Sequence, residues 1–174
     1  MDKKYMETRH TYTVFSDDKM GLLNRITILF NRRRINIDSL TVAHSDTQGI
    51  SRYTIVVHIQ PDLANKVLEQ IKKQIDVFDA FVYEDTQVIS QEIAMYKVAI
   101  NTFLEHQTRI EGVMKGYKTL ILTIEPDFIV IQQTGNEKEV DQFFAQLKTF
   151  GLMEFARSGR VALTKLEQIK SFNY

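Results

Sequence analysis

The feature that most constrains the fold of this chain is an order of strand-like and helix-like segments that occurs twice. Apolar and polar residues alternate in TYTVF (11–15), with the period of two that is typical of a half-buried strand. From Gly21 the apolar residues recur at intervals of three and four, which predicts a helix that ends near Arg34. The first copy then continues with predicted strands at 35–43, 51–59 and 77–84 and a helix that opens at Pro61.

The helix predicted after Pro61 shows the same kind of periodicity. Leu63, Val67, Ile71 and Ile75 recur every four residues and therefore share one face of a helix. Pro61 falls in the first turn, where its missing N–H costs nothing. We therefore expect this helix to pack its apolar stripe against the same sheet as the first helix.

The second copy of the pattern begins with a strand predicted at 92–100 and a hairpin that turns at Pro126-Asp127. A weaker helical stripe lies between them, and a stronger one follows the hairpin. The weaker stripe consists of Phe103, Gln107, Ile110 and Met114, and the stronger one of Val140, Phe143, Phe144, Leu147 and Phe150. A last strand is predicted at 153–164. The hydrophilic run NEKEVDQ (136–142) reads as the exposed start of the stronger helix, with acidic residues that suit its dipole.

The fold class that follows is α+β, with two tandem ferredoxin-like βαββαβ domains. Each domain lays two helices on one face of a four-stranded antiparallel sheet. We expect an N-terminal extension at 1–10, a first domain at 11–86, a second domain at 87–165 and a C-terminal tail at 166–174. The boundary between the domains falls near 86–91.

The composition limits the classes of function. Lys and Arg together number 22, as do Asp and Glu, so no overall positive field gathers nucleic acid. The chain has no cysteine, which excludes disulfides, thiolate nucleophiles and cysteine zinc sites. We find no signal-peptide pattern and no apolar run of membrane-spanning length. We therefore expect a soluble cytoplasmic protein without membrane or nucleic-acid partners.

Two short stretches are candidates for ligand binding. DDKMG (17–21) joins the first strand to the first helix, where free helix N–H groups favour an anion, and Gly21 lets a ligand approach closely. Asp17 or Asp18 alternatively only caps this helix. Asn36 and Ile37 begin the next strand, and we expect them beside this turn or beside the same turn of a neighbouring subunit; alternatively they are a turn residue and a core residue.

Taken together, MGLLNRITILFNRRRINIDSLTV (20–42), SRYTIVV (51–57) and FARSGRVALT (155–164) resemble one known family. They are similar to ACT domains, and in particular to the small regulatory subunit of acetohydroxyacid synthase, also called acetolactate synthase. The resemblance covers roughly residues 10–165, includes the two-domain layout and identifies the first domain as an ACT domain.

This resemblance implies a non-catalytic partner in branched-chain amino acid biosynthesis. Relatives activate a catalytic large subunit, which carries thiamine diphosphate, Mg²⁺ and FAD, and they mediate feedback inhibition by valine or a related amino acid. The chain itself is then expected to bind no cofactor or metal and to form a homodimer. An amino-acid effector is expected between two ACT domains. The site residues carried over are Asp18, Met20, Gly21, Leu22, Asn36 and Ile37.

Two positions depart from the pattern of the family. Asp18 stands where relatives commonly have asparagine, and its charge attracts an α-ammonium group and repels an α-carboxylate. Arg34 stands where a glycine commonly precedes the Asn-Ile pair, and Arg34 also ends the first helix beside two other arginines. The identity of the effector and the sensitivity to valine therefore stay open.

The alternatives are a free-standing ACT-type amino-acid sensor, a ferredoxin-like RNA-binding module and a small enzyme. RNA binding requires stacking aromatics near basic groups on an open sheet face, for which Tyr12, Arg52, Tyr53 and His58 are the candidates. No catalytic constellation supports an enzyme, because the four histidines lie on different predicted elements without ligand spacing. The exposed loop at 44–49 is a candidate contact with the catalytic partner.

Overall fold

The computed structural model describes residues 6–166, so parts of the predicted N-terminal extension and C-terminal tail lie outside the described residues. The described residues up to Ile89 and from Val161 form one compact unit. Ser90–Arg160 form a second compact unit. Each unit carries the predicted order of strands and helices.

In the first unit, two helices cover one face of a four-stranded antiparallel sheet. Its elements are β1 (Thr8–Asp17), α1 (Leu22–Arg32), β2 (Ile37–His44), β3 (Ile50–Ile59), α2 (Pro61–Lys72) and β4 (Val77–Glu84). The strand order is β2-β3-β1-β4, which puts β2 and β4 at the edges. A short 3₁₀ turn, Asp85–Gln87, follows β4.

The apolar stripes predicted from the sequence form the core of this unit. Leu22, Ile26 and Phe30 of α1 are completely buried against alternate residues of β1, such as Tyr12 and Val14. Burying these side chains supplies most of the driving force for this packing.

One residue of the predicted α2 stripe was assigned wrongly. α2 ends at Lys72, and Ile75 lies in the following turn with 76% of its surface exposed. The chain leaves the helix here because the amide of Val77 bonds the carbonyl of Gln74 and Asp76 takes a left-handed φ of 70°. A pattern of four-residue spacing cannot distinguish a helix that stops from one that continues for another turn.

In the second unit the sheet order is β6-β7-β5-β8. Its elements are β5 (Val88–Ala99), α3 (Ile100–Glu105), α4 (Gln107–Met114), β6 (Thr119–Ile124), β7 (Phe128–Gly135), α5 (Glu137–Lys148) and β8 (Glu154–Arg157). A last strand, β9 (Val161–Thr164), pairs with β5, whose residues Val88 and Ile89 belong to the first unit. The hairpin predicted at Pro126-Asp127 is confirmed.

Several elements differ from the prediction. β1 begins at Thr8, inside the predicted extension 1–10, and β2 begins at Ile37, two residues after its predicted start. The single weak helix is two helices, because His106 has non-helical angles and its ring packs on Phe150 at 5.5 Å. The single last strand is two strands, because Ser158 bonds the backbone of Ile93 through both its amide and its hydroxyl and the chain then turns. β5 begins at Val88, four residues before the predicted start, so the proposed boundary segment is partly strand.

The start of α5 agrees with the expectation for its acidic residues. Asn136 caps the helix by accepting from the amide of Glu139, and the Glu139 side chain accepts from the amide of Asn136 in return. Glu137 and Glu139 lie in the first turn, where negative charge favours the helix dipole.

The end of α1 places Arg34 in a backbone conformation that favours glycine. The amide of Ile35 bonds the carbonyl of Phe30 and the amide of Arg34 bonds that of Asn31, the hydrogen-bond pattern of a Schellman motif. Arg34 has a φ of 56°, in the left-handed region that glycine adopts without strain. The first consequence of an arginine at this position is therefore strain in the backbone.

We expect Arg34→Gly to raise the free energy of unfolding by about 0.5–1 kcal/mol, because relief of left-handed strain exceeds the added entropy of the unfolded chain. Arg32→Gly is the matched control within α1 and should lower it by about 1 kcal/mol. Urea unfolding at neutral pH measures both values. Equal destabilisation by the two changes would contradict the assignment of strain to Arg34.

Candidate functional site

The turn between β1 and α1 presents an uncapped helix end. Gly21 is the residue before the first helical residue, with a φ of 85°, and no side chain bonds the free amides that follow it. The first turn of α1 also has no acidic residue. The expectation that Asp17 or Asp18 caps this helix is therefore wrong. A Cβ at Gly21 would meet no atom within 4 Å, so space is open above this backbone.

Asp18 is held by residues far from it in sequence. Its Oδ1 accepts a 3.0 Å hydrogen bond from the Ser51 hydroxyl, and its Oδ2 lies 3.4 Å from Nδ1 of His44. Its amide donates to the carbonyl of Gly49 at 2.9 Å. These partners on β2, β3 and the loop between them draw Asp18 away from the helix, which is why it caps nothing.

Asp76 supports the same turn, and the sequence reasoning missed it. Its carboxylate accepts from Arg25 at 2.9 Å and from Lys19 at 3.2 Å, and its carbonyl accepts from the amide of Asp17. The hydrogen bond from Arg25 and then that from Lys19 lower the pKa of Asp76. The left-handed φ of Asp76 aims both groups at the turn. A lone aspartate after a predicted helix gave no signal of this role.

Met20 and Leu22 take different positions around Gly21. The Met20 side chain is fully exposed, whereas Leu22 is completely buried in the core of the first unit. A ligand at this turn could therefore contact the side chain of Met20 but only the backbone of Leu22. Met20 is therefore an apolar group available to an aliphatic ligand.

Asn36 and Ile37 lie at the opposite end of the sheet from this turn. Ile37 is opposite Val57 on β3, whereas Asp17 is opposite Ile50. Seven residues of strand separate these levels, roughly 23 Å at about 3.3 Å per residue. The expectation that the two stretches adjoin within one chain is therefore wrong, because the register of β3 separates them.

The Asn36–Ile37 segment is shaped by a bulge. The pairing register of β2 shifts between Ile37 and Ser39, and Asp38 in the bulge lies 2.6 Å from Nδ1 of His58. Asn36 is exposed and Ile37 is half-buried against the core. Asn36 thus presents a polar side chain at the surface, while Ile37 anchors the segment to the core.

The aromatic residues named for RNA stacking are not available. Tyr12 and Tyr53 are buried in the core on the helix side of the sheet, and the Tyr12 hydroxyl donates to the carbonyl of Ala64. Arg52 donates to the carbonyl of Ala162 and lies over the Phe15 ring. The platform that the RNA hypothesis requires is therefore not formed by these side chains.

Within residues 6–166, no three His, Cys, Asp or Glu side chains are grouped to hold a metal ion. No helix in that range has the length and apolar character needed to cross a membrane. The arginines at the end of α1 lie apart from the turn: Arg32 and Arg33 border a surface cleft with α2, where Arg33 donates to Gln70.

Both halves of the chain match one family of proteins. Residues 91–166 match the family described as the small subunit of acetolactate synthase. Residues 13–79 match the ACT domain described as AHAS small subunit-like. The resemblance and the fold class predicted from the sequence are thereby confirmed.

Individual relatives cover nearly the whole chain. It is 34% identical to the acetolactate synthase small subunit of Bacillus subtilis over 88% of this chain and 89% of the relative. It is 32% identical to that of Mycobacterium bovis over 90% and 92%. The crystal structure of the acetolactate synthase small subunit from Thermotoga maritima superposes with a TM-score of 0.82 at 25% identity, covering 92% of this chain and 99% of that one.

Asp76→Asn should loosen the turn, because asparagine keeps the left-handed backbone but loses the charge that binds Arg25 and Lys19. We expect severalfold faster hydrogen exchange of the amides of Asp17, Asp18 and Lys19, which are hydrogen-bonded to the carbonyls of Asp76, Gly49 and Asp17. The lowered pKa means that the stabilisation by Asp76 is complete above about pH 3.9 and is lost as the pH falls further. Wild type should therefore lose this protection in acid, and the variant should show no such loss.

The matched control is Asp127→Asn, which removes an exposed carboxylate in the second unit. It should leave exchange at the turn unchanged. Equal protection of the turn in Asp76→Asn and wild type would contradict the role assigned to Asp76.

Proposed function

Because the chain belongs to the acetolactate synthase small-subunit family, which has a regulatory role in branched-chain amino acid biosynthesis, we propose that it activates a separate catalytic subunit and makes it sensitive to an amino acid. The observation that carries this proposal is the match of both halves of the chain to the family. Thiamine diphosphate, Mg²⁺ and FAD then belong to the catalytic subunit. This chain contributes binding of the catalytic subunit and of the amino acid. It thereby sets the balance between the active and inhibited arrangements of the complex.

The effector site in this proposal is shared by two copies of the chain. β2 is an edge strand that pairs only with β3 among the described residues. Antiparallel pairing with β2 of a second copy would bring Ile37 of each chain beside His44 of the other. Since His44 lies against Asp18, Asn36 and Ile37 would then adjoin the turn of the second copy. Two stretches at opposite ends of one sheet would thus form one site in a dimer.

The chemistry of this site suits a zwitterion with an aliphatic side chain. The uncapped amides after Gly21 attract an α-carboxylate, and the Asp18 carboxylate attracts an α-ammonium group. The exposed Met20 side chain supplies apolar contact. Valine, leucine and isoleucine have this combination of groups, and Asp18 disfavours a pose with the α-carboxylate beside it.

The loop between β2 and β3 offers a path from this site to the catalytic subunit. The amide of Asp18 bonds the carbonyl of Gly49, and Asp18 also contacts His44 and Ser51 on the flanking strands. An effector that displaces Asp18 would therefore act on both ends of the loop. Inhibition requires that the effector bind the active and inhibited arrangements with different affinity.

The main test mixes the purified chain with the acetolactate synthase catalytic subunit from the same source. We expect no acetolactate formation by this chain alone, stimulation of the catalytic subunit on mixing, and a reduction when a branched-chain amino acid is added. No stimulation on mixing would refute the proposed activation. Replacing residues 45–48 by Gly and Ser should weaken the stimulation, and an unchanged activation curve would remove the loop from the interface.

A complementation experiment tests the shared site. Gly21→Val blocks the open space at the turn, and Asn36→Ala removes the polar group of the other half. Each variant alone should bind no branched-chain amino acid in calorimetric titration. Co-refolded in equal amounts, they should regain about a quarter of the wild-type sites, since half of the dimers are mixed and each has one intact site.

Wild-type chain co-refolded with itself is the control for this experiment. If wild type binds and the mixture does not, the site is not divided between two copies. If wild type binds none of the three amino acids, the effector class is wrong while the activation of the catalytic subunit can still stand.

A further inference from the structure

The edge strand β6 of the second unit is apolar and uncovered. Its sequence, TLILTI, contains Leu120, Ile121, Leu122 and Ile124, whose exposed fractions range from 37% to 64%. Aliphatic side chains of this size bury favourably when a partner covers them. Four of them in one short strand form a surface that solvent does not favour.

The backbone of β6 is also open on one side. Among residues 6–166 it pairs with β7, and no strand lies beyond it in the sheet order. Edge strands commonly carry charges that prevent pairing with another chain. β2, β4 and β8 follow this rule with Asp38, Asp79 and Glu154, whereas β6 has no charged residue. The bulge in β6 leaves Leu122 out of the ladder with β7 but still half exposed.

The charges that flank β6 have opposite signs at its two ends. Lys115 and Lys118 precede the strand, and Glu125 and Asp127 follow it; all four side chains are exposed. A parallel copy of the strand would place lysine beside lysine. An antiparallel copy would place each lysine end beside an acidic end.

We propose that β6 is a second self-association surface, at which β6 of two copies pair in antiparallel orientation with Lys118 of each chain beside Glu125 of the other. The pairing is isologous, so the same apolar side chains and the same charges serve both copies. It satisfies the open backbone edge and brings the aliphatic side chains of the two strands into cross-strand contact. It involves neither the β1–α1 turn nor β2, so it is independent of the effector site.

Charge reversal tests the orientation on the full chain. Lys118→Glu and Glu125→Lys each place like charges together at both ends of the pair. Each should weaken association beyond the β2-paired dimer about tenfold in sedimentation velocity at low salt. The double variant Lys118→Glu with Glu125→Lys restores opposite charges and should return the association to the wild-type value. Lys138→Glu, at an exposed lysine of α5, is the matched control and should change nothing.

Cysteine cross-linking tests proximity, since the chain has no cysteine of its own. Lys118→Cys with Glu125→Cys should yield a disulfide-linked dimer under mild oxidation, because antiparallel neighbours lie within disulfide reach. Each single variant should stay monomeric on a non-reducing gel. Within one chain the two positions are seven residues apart, roughly 23 Å along an extended chain, which excludes an internal bridge.

Three outcomes would overturn the proposal. They are single reversals that leave self-association unchanged, a double reversal that fails to restore it, and a double-cysteine variant that does not cross-link. If the reversals alter only the titration with the catalytic subunit, β6 instead binds a strand of that partner. Amino-acid binding should stay at the wild-type value in every β6 variant, which separates this surface from the proposed effector site.

Discussion

A buried tyrosine hydroxyl ties the second helix of the first domain to its sheet. Tyr12 of β1 donates to the carbonyl of Ala64 on α2 at 2.9 Å, and its ring meets Phe30 of α1 edge-on with centroids 5.6 Å apart. Burial raises the pKa of Tyr12, so the hydroxyl stays protonated and remains a donor. One side chain thus contacts both helices from the sheet. The helix positions, and with them the turn that precedes α1, depend on this contact.

The second domain repeats the arrangement. Tyr96 of β5 reaches the carbonyl of Val140 on α5 at 3.3 Å and packs edge-on against Phe143 at 4.9 Å. Gln133 adds a further link, because it accepts from Tyr96 and donates to the carbonyl of Glu139. These contacts fix the helices from inside in both domains and involve neither the turns nor the sheet edges. Those turns and edges are where both proposed surfaces lie.

The features that the sequence predicted correctly are those that depend on burial and on local geometry. The stripe of α1 and the turn at Pro126 appeared in the expected places because periodicity and proline stereochemistry act over a few residues. Asp18 was placed correctly in the turn, but its partners Ser51 and His44 lie on other strands. Because the sequence does not show these contacts, it could not exclude a capping role for Asp18.

The candidate site was harder to predict for the same reason. The family resemblance assigned Gly21 and Asn36 to one site. Only the register of β3 shows that the two residues lie far apart within one chain. The role of Asp76 depends on a left-handed residue and on cations 51 and 57 positions away. Nothing within a few residues of Asp76 encodes these contacts.

Arg34 and Asp18 act through different physics. Arg34 occupies a left-handed helix end, so its cost falls on the backbone and bears on stability rather than on ligand choice. Asp18 adds a negative charge that Ser51 solvates and that His44 compensates only when the imidazole is protonated. An incoming ammonium group would therefore compete with His44 for the same carboxylate. Of the two residues, Asp18 is thus the one that bears on ligand choice at the proposed effector site.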